Sequence, residues 1–181
     1  MSEEQNSNTH NTCKIDSEQS VTFECGGDEK LRIIASKPIL RFCMEPGMEF
    51  LAPSKAHPDD AGYDIRAAED CQVMPSDTAI VKTGLRMELP PGYEGQVRGR
   101  SGLAFKCGIE VFNSPGTIDY GYRGEVKVIL HNVSCSVFFV RKGDRIAQLV
   151  IAKVPDLDTV VVSHLSESTT RGQNGFGSTG K

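Results

Sequence analysis

An all-β sandwich or barrel is the fold class this sequence predicts, on three observations. Short apolar or alternating runs recur from residue 31 onward, and Gly, Pro, Asn and Asp separate them. No helix-length apolar period is interleaved with these runs, which removes the Rossmann and other doubly wound architectures, because those need a helix between successive parallel strands. Many short strands joined by turns build a sandwich or a barrel.

Taken in order, residues 1–30 are rich in Ser, Asn, Glu and Gln and hold no sustained period, the composition of a segment that buries too little apolar surface to offset its ordering entropy. They are expected to form a polar, disordered tail. The β-barrel domain is expected over residues 31–166, opening with LRII and PILRF and continuing through GYDIRA, CQVM and the long run TAIVKTGLRMEL. Pro90, Pro91 and Gly92 then turn the chain into EGQVRGR. SGLAFKC is the one short helix candidate, with Ser101 as its N-cap. IEVF follows, Ser114, Pro115 and Gly116 make a turn, and EVKVILHN, SVFFV, RIAQLVIAKV and TVVVS complete the strand series. Residues 167–181 form a Gly/Ser/Thr-rich flexible arm with one aromatic.

The chain has 181 residues, enough for one well-cored domain and too few for two. Its 20 basic against 24 acidic residues leave a net charge of -4, which argues against a general nucleic-acid binder. An anionic ligand must therefore be met by local arginines or a metal. Six cysteines are scattered with no CxxC pair and no His at zinc spacing, so reduced thiols in a cytoplasmic or other reducing intracellular compartment are expected. The opening MSEEQNSNTHNT has neither the pattern of a secretory signal nor that of a transit peptide, and no apolar run reaches membrane-spanning length, so no membrane association is expected.

The segment NSPGTIDYGYRGEVKVILHN, residues 113–132, sets the carboxylate of Asp119 and the ring of Tyr122 inside a turn-rich stretch that runs into a strand. Arg100, Ser101 and Gly102 combine a guanidinium fork, a hydroxyl and a residue that lets backbone amides approach closely, a good cradle for a triphosphate. GFGSTGK, residues 175–181, has P-loop spacing, but no Ser/Thr and no helix follows its lysine, so the P-loop reading is rejected.

With AGYDIRAAED from Ala61, GRSGLAFKCGI from Gly99, KGDRIAQLVI from Lys142 and RGQNGFGSTG from Arg171, the segment at 113–132 completes five ordered motifs that resemble those of the trimeric dUTPases. The likeness spans residues 61–180. It implies a jelly-roll-like β barrel and an enzyme that splits dUTP into dUMP and pyrophosphate, supplies dUMP for thymidylate synthesis, uses Mg²⁺, and assembles as a homotrimer with active sites shared between subunits. By the resemblance, Asp119 in the GxID stretch holds the attacking water as general base. Asn113, Gly116, Thr117 and Ile118 read uracil from a tight hairpin that Pro115 stiffens, Tyr122 lies under the deoxyribose, and Lys127 touches the nucleotide. Arg100, Ser101, Gly102 and Gln148 bind phosphates, and Asp64 meets hydrated magnesium through water. Arg171 pairs with the terminal phosphate, Phe176 stacks on uracil, and Gly177 and Ser178 supply donors from the closing arm. Arg145 is expected to be a structural ion-pairing residue and Asp59-Asp60 a solvated loop. Two departures stand out: Gly121 replaces a more usual acidic or polar residue, and Asn174 replaces an arm glycine. The alternatives are a dCTP deaminase of the same fold and a trimeric regulatory protein switched by nucleotide.

Overall fold

A computed structural model describes residues 12–15, 20–24, 30–34, 37–166, 169 and 172. Within the stretch expected as a tail, three antiparallel strands occur in the order β1 (Thr12–Ile15), β2 (Ser20–Glu24) and β3 (Lys30–Ile34). The short run VTFE offers strand propensity that the polar average of the segment conceals, while LRII, expected to open the barrel domain, pairs with β2 in this separate sheet.

The barrel is built from two four-stranded antiparallel sheets. One runs β10 (Gly116–Ile118), β8 (Tyr93–Arg98), β13 (Arg145–Lys153), β5 (Gly62–Arg66). The other runs β4 (Arg41–Met44), β7 (Thr78–Glu88), β11 (Val126–Asn132), β9 (Ile109–Val111). A small pair of β6 (Cys71–Val73) and β12 (Phe138–Val140) closes one end. Alternate residues of each strand point inward, as the two-residue period requires, and one core joins Ile65, Val97 and Leu149 of the first sheet to Leu85, Val128 and Leu130 of the second. This is the jelly-roll-like β barrel expected from the sequence.

Three local expectations are corrected. The one α-helix among the described residues, α1 (Ser101–Cys107), takes Arg100 as its N-cap with no side-chain cap bond, so Ser101 is the first helical residue. Gly108 ends the helix in the left-handed region at φ 64°, a position that glycine fills without a Cβ clash. The TVVVS run forms no strand: after β13 the chain continues without regular pairing, and Val160, Val161 and Leu165 are exposed. Its β propensity finds no neighbouring edge within the chain. Finally, the segment around Asp119 is not a hairpin of two paired strands, since β10 pairs with β8 whereas β11 pairs with β7 and β9. The turn at residues 119–122 instead carries the chain from one sheet to the other.

Two polar devices hold the barrel together. Asn132, fully buried, donates to Val73 O and Ser136 O and accepts from Ser134 N and Oγ, which satisfies its carboxamide completely. At the other end of β11 the register against β7 slips between Val126, opposite Leu85, and Val128, opposite Val81, leaving a bulge around residues 82–84. Gly84 there has φ +65°. The Glu125 carboxylate accepts the amides of Thr83 and Gly84 at 3.2 and 2.9 Å, and the Thr83 hydroxyl bonds Val126 O.

Candidate active site

Strand register assembles the first half of the site. On β13, Gln148 stands opposite Asp64 of β5 on one side and Arg98 of β8 on the other. Because α1 follows β8 directly, Arg100, Ser101 and Gly102 arrive at the same rim, and a cleft of about 290 Å³ opens between them, Asp64, Arg145 and Gln148. Asp64 is the hub of this cleft. Its Oδ1 lies 3.1 Å from Arg100 Nε and its Oδ2 3.1 Å from Arg145 Nη1, while Arg100 Nη1 donates to Arg145 O at 3.2 Å. The Asp64 side chain is only 14% exposed, so this carboxylate depends on its two guanidinium partners for the solvation it has lost. The two guanidiniums bring charge-assisted donors to the cleft, the groups that suit phosphate oxygens.

Gln148 donates to Gly99 O at 2.8 Å, which fixes its carboxamide. Gly62 makes room for that group, since a Cβ at residue 62 would come within 2.6 Å of Gln148 Oε1. Asp60, expected as a solvated loop residue, also lines the cleft, with its Oδ2 held by the amide of His57 at 2.9 Å. Among the described residues no three His, Cys, Asp or Glu side chains are grouped to hold a metal ion. Asp64, already shared by two arginines, therefore suits contact with a hydrated cation brought in by phosphates better than direct ligation.

The second half lies in a different cleft, of about 560 Å³, lined by Thr117, Ile118, Asp119, Tyr122 and Lys127 together with Glu125 and others from β7 and β11. It shares no lining residue with the first. Asp119 is exposed at the end of β10, where its carbonyl accepts the Tyr122 amide at 3.0 Å and closes the turn. The Tyr122 hydroxyl donates to Glu125 O at 2.9 Å, and its ring lies over Gly124. Arg123 ties the turn to itself by donating to the carbonyls of Tyr120 and Tyr122 at 2.7 and 2.9 Å. Lys127 Nζ reaches Glu125 Oε2 at 4.0 Å.

Asn113 and Gly116 line neither of these two clefts. The Asn113 side chain instead packs on buried Gly116, where a Cβ would meet its Nδ2 at 2.9 Å. Pro115, expected to stiffen the turn, follows Ser114 through a cis peptide bond. Gly121 has open space around its Cβ position, so the departure from a polar residue does not reshape the turn. Arg171, Phe176, Gly177 and Ser178 lie outside the described residues, as does Asn174. Sequence reasoning missed Asp60 and Gly62 as lining residues and Gly124 as the seat of the Tyr122 ring, whereas Arg145 is the ion-pairing residue expected, paired with Asp64, and lines the cleft as well. The only signal for the glycines was their place one or two residues from a motif side chain.

Comparison with known proteins follows the same lines. The family model described as dUTPase matches residues 49–180. The deoxyuridine 5'-triphosphate nucleotidohydrolase of Gloeothece citriformis is 51% identical over 130 residues, covering 72% of this chain and 89% of that protein. That of Mycobacterium bovis is 46% identical over 142 residues, covering 76% and 91%. Among solved structures, a mutant dUTPase of Staphylococcus bacteriophage 80alpha with dUpNHpp superposes with a TM-score of 0.73 at 27% identity, covering 79% of this chain and 99% of that one. A mutant dUTPase of phage phi11, described as revealing the coordination of a structural Mg(II) ion, gives 0.65 at 25% identity over 70% and 98%.

Proposed function

The chain belongs to the dUTPase family and is a dUTP diphosphatase that hydrolyses dUTP to dUMP, and on that premise we propose how its residues divide the work. Asp119 holds a water and takes its proton as the oxygen attacks the α-phosphorus in line, and the bond to the bridging oxygen breaks as pyrophosphate leaves. Arg100, Ser101, Gly102 and Gln148 donate to phosphate oxygens on which charge accumulates. Thr117, Ile118, Gly116 and Asn113 read uracil, Tyr122 carries the deoxyribose, and Lys127 contacts the nucleotide. Arg171, Phe176, Gly177 and Ser178 close over it from the arm.

Magnesium fits as the cofactor: the substrate's phosphates would hold it, and Asp64 would reach it through water. Bound there it offsets charge on the phosphate oxygens. No helix among the described residues is long and apolar enough to cross a membrane. We assign the enzyme to a reducing intracellular compartment, where its product feeds thymidylate synthesis.

The observation that carries this reading is the convergence of Asp64, Arg100, Ser101 and Gln148 on one cleft while Asp119 and Tyr122 border another. Ile118 pairs with Gly95 near the start of β8 while Arg100 lies beyond its end, so Asp119 and Arg100 stand at opposite ends of that strand, a separation that supports a homotrimer in which the two clefts meet between subunits. To test the chemistry, dUTP, dTTP, dCTP and UTP are offered separately with Mg²⁺ while pyrophosphate and nucleoside product are measured. Turnover confined to dUTP, and an Asp119→Asn variant slower by about 10²- to 10⁴-fold in kcat, are expected. Equal turnover of all four nucleotides, or a fully active variant, contradicts the proposal.

A further inference from the structure

We propose that Gly124 and the Glu125 backbone are positioning elements for sugar discrimination, acting by holding the Tyr122 ring in its place in the second cleft. The inference rests on the reading of Tyr122 as the deoxyribose platform and deepens it. A Cβ built on Gly124 lies 2.6 Å from Cζ and 2.9 Å from Cε2 of Tyr122, well inside any real carbon contact. The ring therefore occupies the very volume that any other residue at 124 would need. Gly124 shows no left-handed φ, so its lack of a side chain answers to this contact and not to a backbone conformation reserved for glycine.

The same phenol end, whose hydroxyl is the atom nearest to that Cβ, is also hydrogen-bonded. Its hydroxyl donates to Glu125 O at 2.9 Å, and the Glu125 carboxylate in turn accepts the two bulge amides of β7, from Thr83 and Gly84. Tyr122 is thus braced through one residue to the frame of the second sheet, although it stands on an exposed turn and is itself 43% exposed. A platform that must refuse a 2′-hydroxyl has to be immobile, because rejection by contact vanishes when the contacting group can retreat. The brace supplies that immobility.

The test is a double-mutant cycle of Gly124→Ala and Tyr122→Ala, read as the ratio of kcat/KM for dUTP to that for UTP, with a crystal structure of Gly124→Ala and thermal unfolding of each variant. Gly124→Ala is expected to displace the ring, to lower the ratio by about tenfold and to leave the unfolding temperature near that of the native protein. In the Tyr122→Ala background the same substitution is expected to do nothing further. A ring that stays over residue 124, an unchanged ratio in Gly124→Ala, or an equal loss in both backgrounds overturns the inference. A Tyr122→Ala variant with native selectivity overturns instead the assignment of the ring to the sugar.

Discussion

Asp64 illustrates how much of the site is decided by single side chains. Its carboxylate orients two guanidiniums, and each of its oxygens has one arginine partner. Removing Arg145 leaves Oδ2 short of a donor and frees the plane of the carboxylate to rotate, which loosens Arg100 in turn. Arg145→Gln is expected to lower kcat/KM for dUTP by about 3- to 30-fold, the range for losing one partly exposed charge-assisted bond. Binding of the imido analogue of dUTP is expected to weaken with it while dUMP binding holds. Titration calorimetry with both ligands checks this, and equal weakening of the two means that Arg145 serves general stability. That Arg100 and Gln148 share one cleft was legible through the resemblance of their motifs to those of a known family. Gly62 and Gly124 were not, because what matters at each is a neighbour across a strand or a turn, and no spacing along the chain encodes that proximity.

At the scale of elements, the barrel strands were legible and their ends were not. Alternation in TAIVKTGLRMEL and EVKVILHN marks β7 and β11, yet the slip between them depends on Glu125 reaching back to two amides more than forty residues earlier, |i−j| being 42 and 41. The same limit explains the mistaken hairpin, since the sequence separates β10 from β11 by a turn without saying that each joins a different sheet. Glu125, with its side chain 13% exposed, leaves Thr83 N and Gly84 N without an acceptor when truncated. Glu125→Ala is expected to cost about 1–3 kcal/mol in urea unfolding, with an unchanged m-value. A cost within a few tenths of a kcal/mol would mean that the bulge amides find water instead.

For the whole molecule, the division of the chemistry between two clefts has a direct test in mixed assemblies. Asp119→Asn and Arg100→Gln are each expected to be nearly inactive alone. Subunits of the two, unfolded together and refolded at equal amounts, combine an intact phosphate cleft from one parent with an intact Asp119 from the other in about a quarter of sites. Recovery of about that fraction of native activity is expected, and none is expected if each site is built within one chain. The architecture also sets where motion can reside. β13, which carries Gln148, is hydrogen-bonded along both flanks, to β8 and to β5, whereas Asp119 follows a three-residue strand paired only to β8. Deuterium would therefore enter the backbone around 148–150 only when the whole barrel opens, while amides at 119–121, ahead of the braced Tyr122, trade their protons on a far shorter clock. In the proposed division of labour, the groups assigned to the phosphates therefore sit on the slowest-opening part of the frame and Asp119 on one of the fastest.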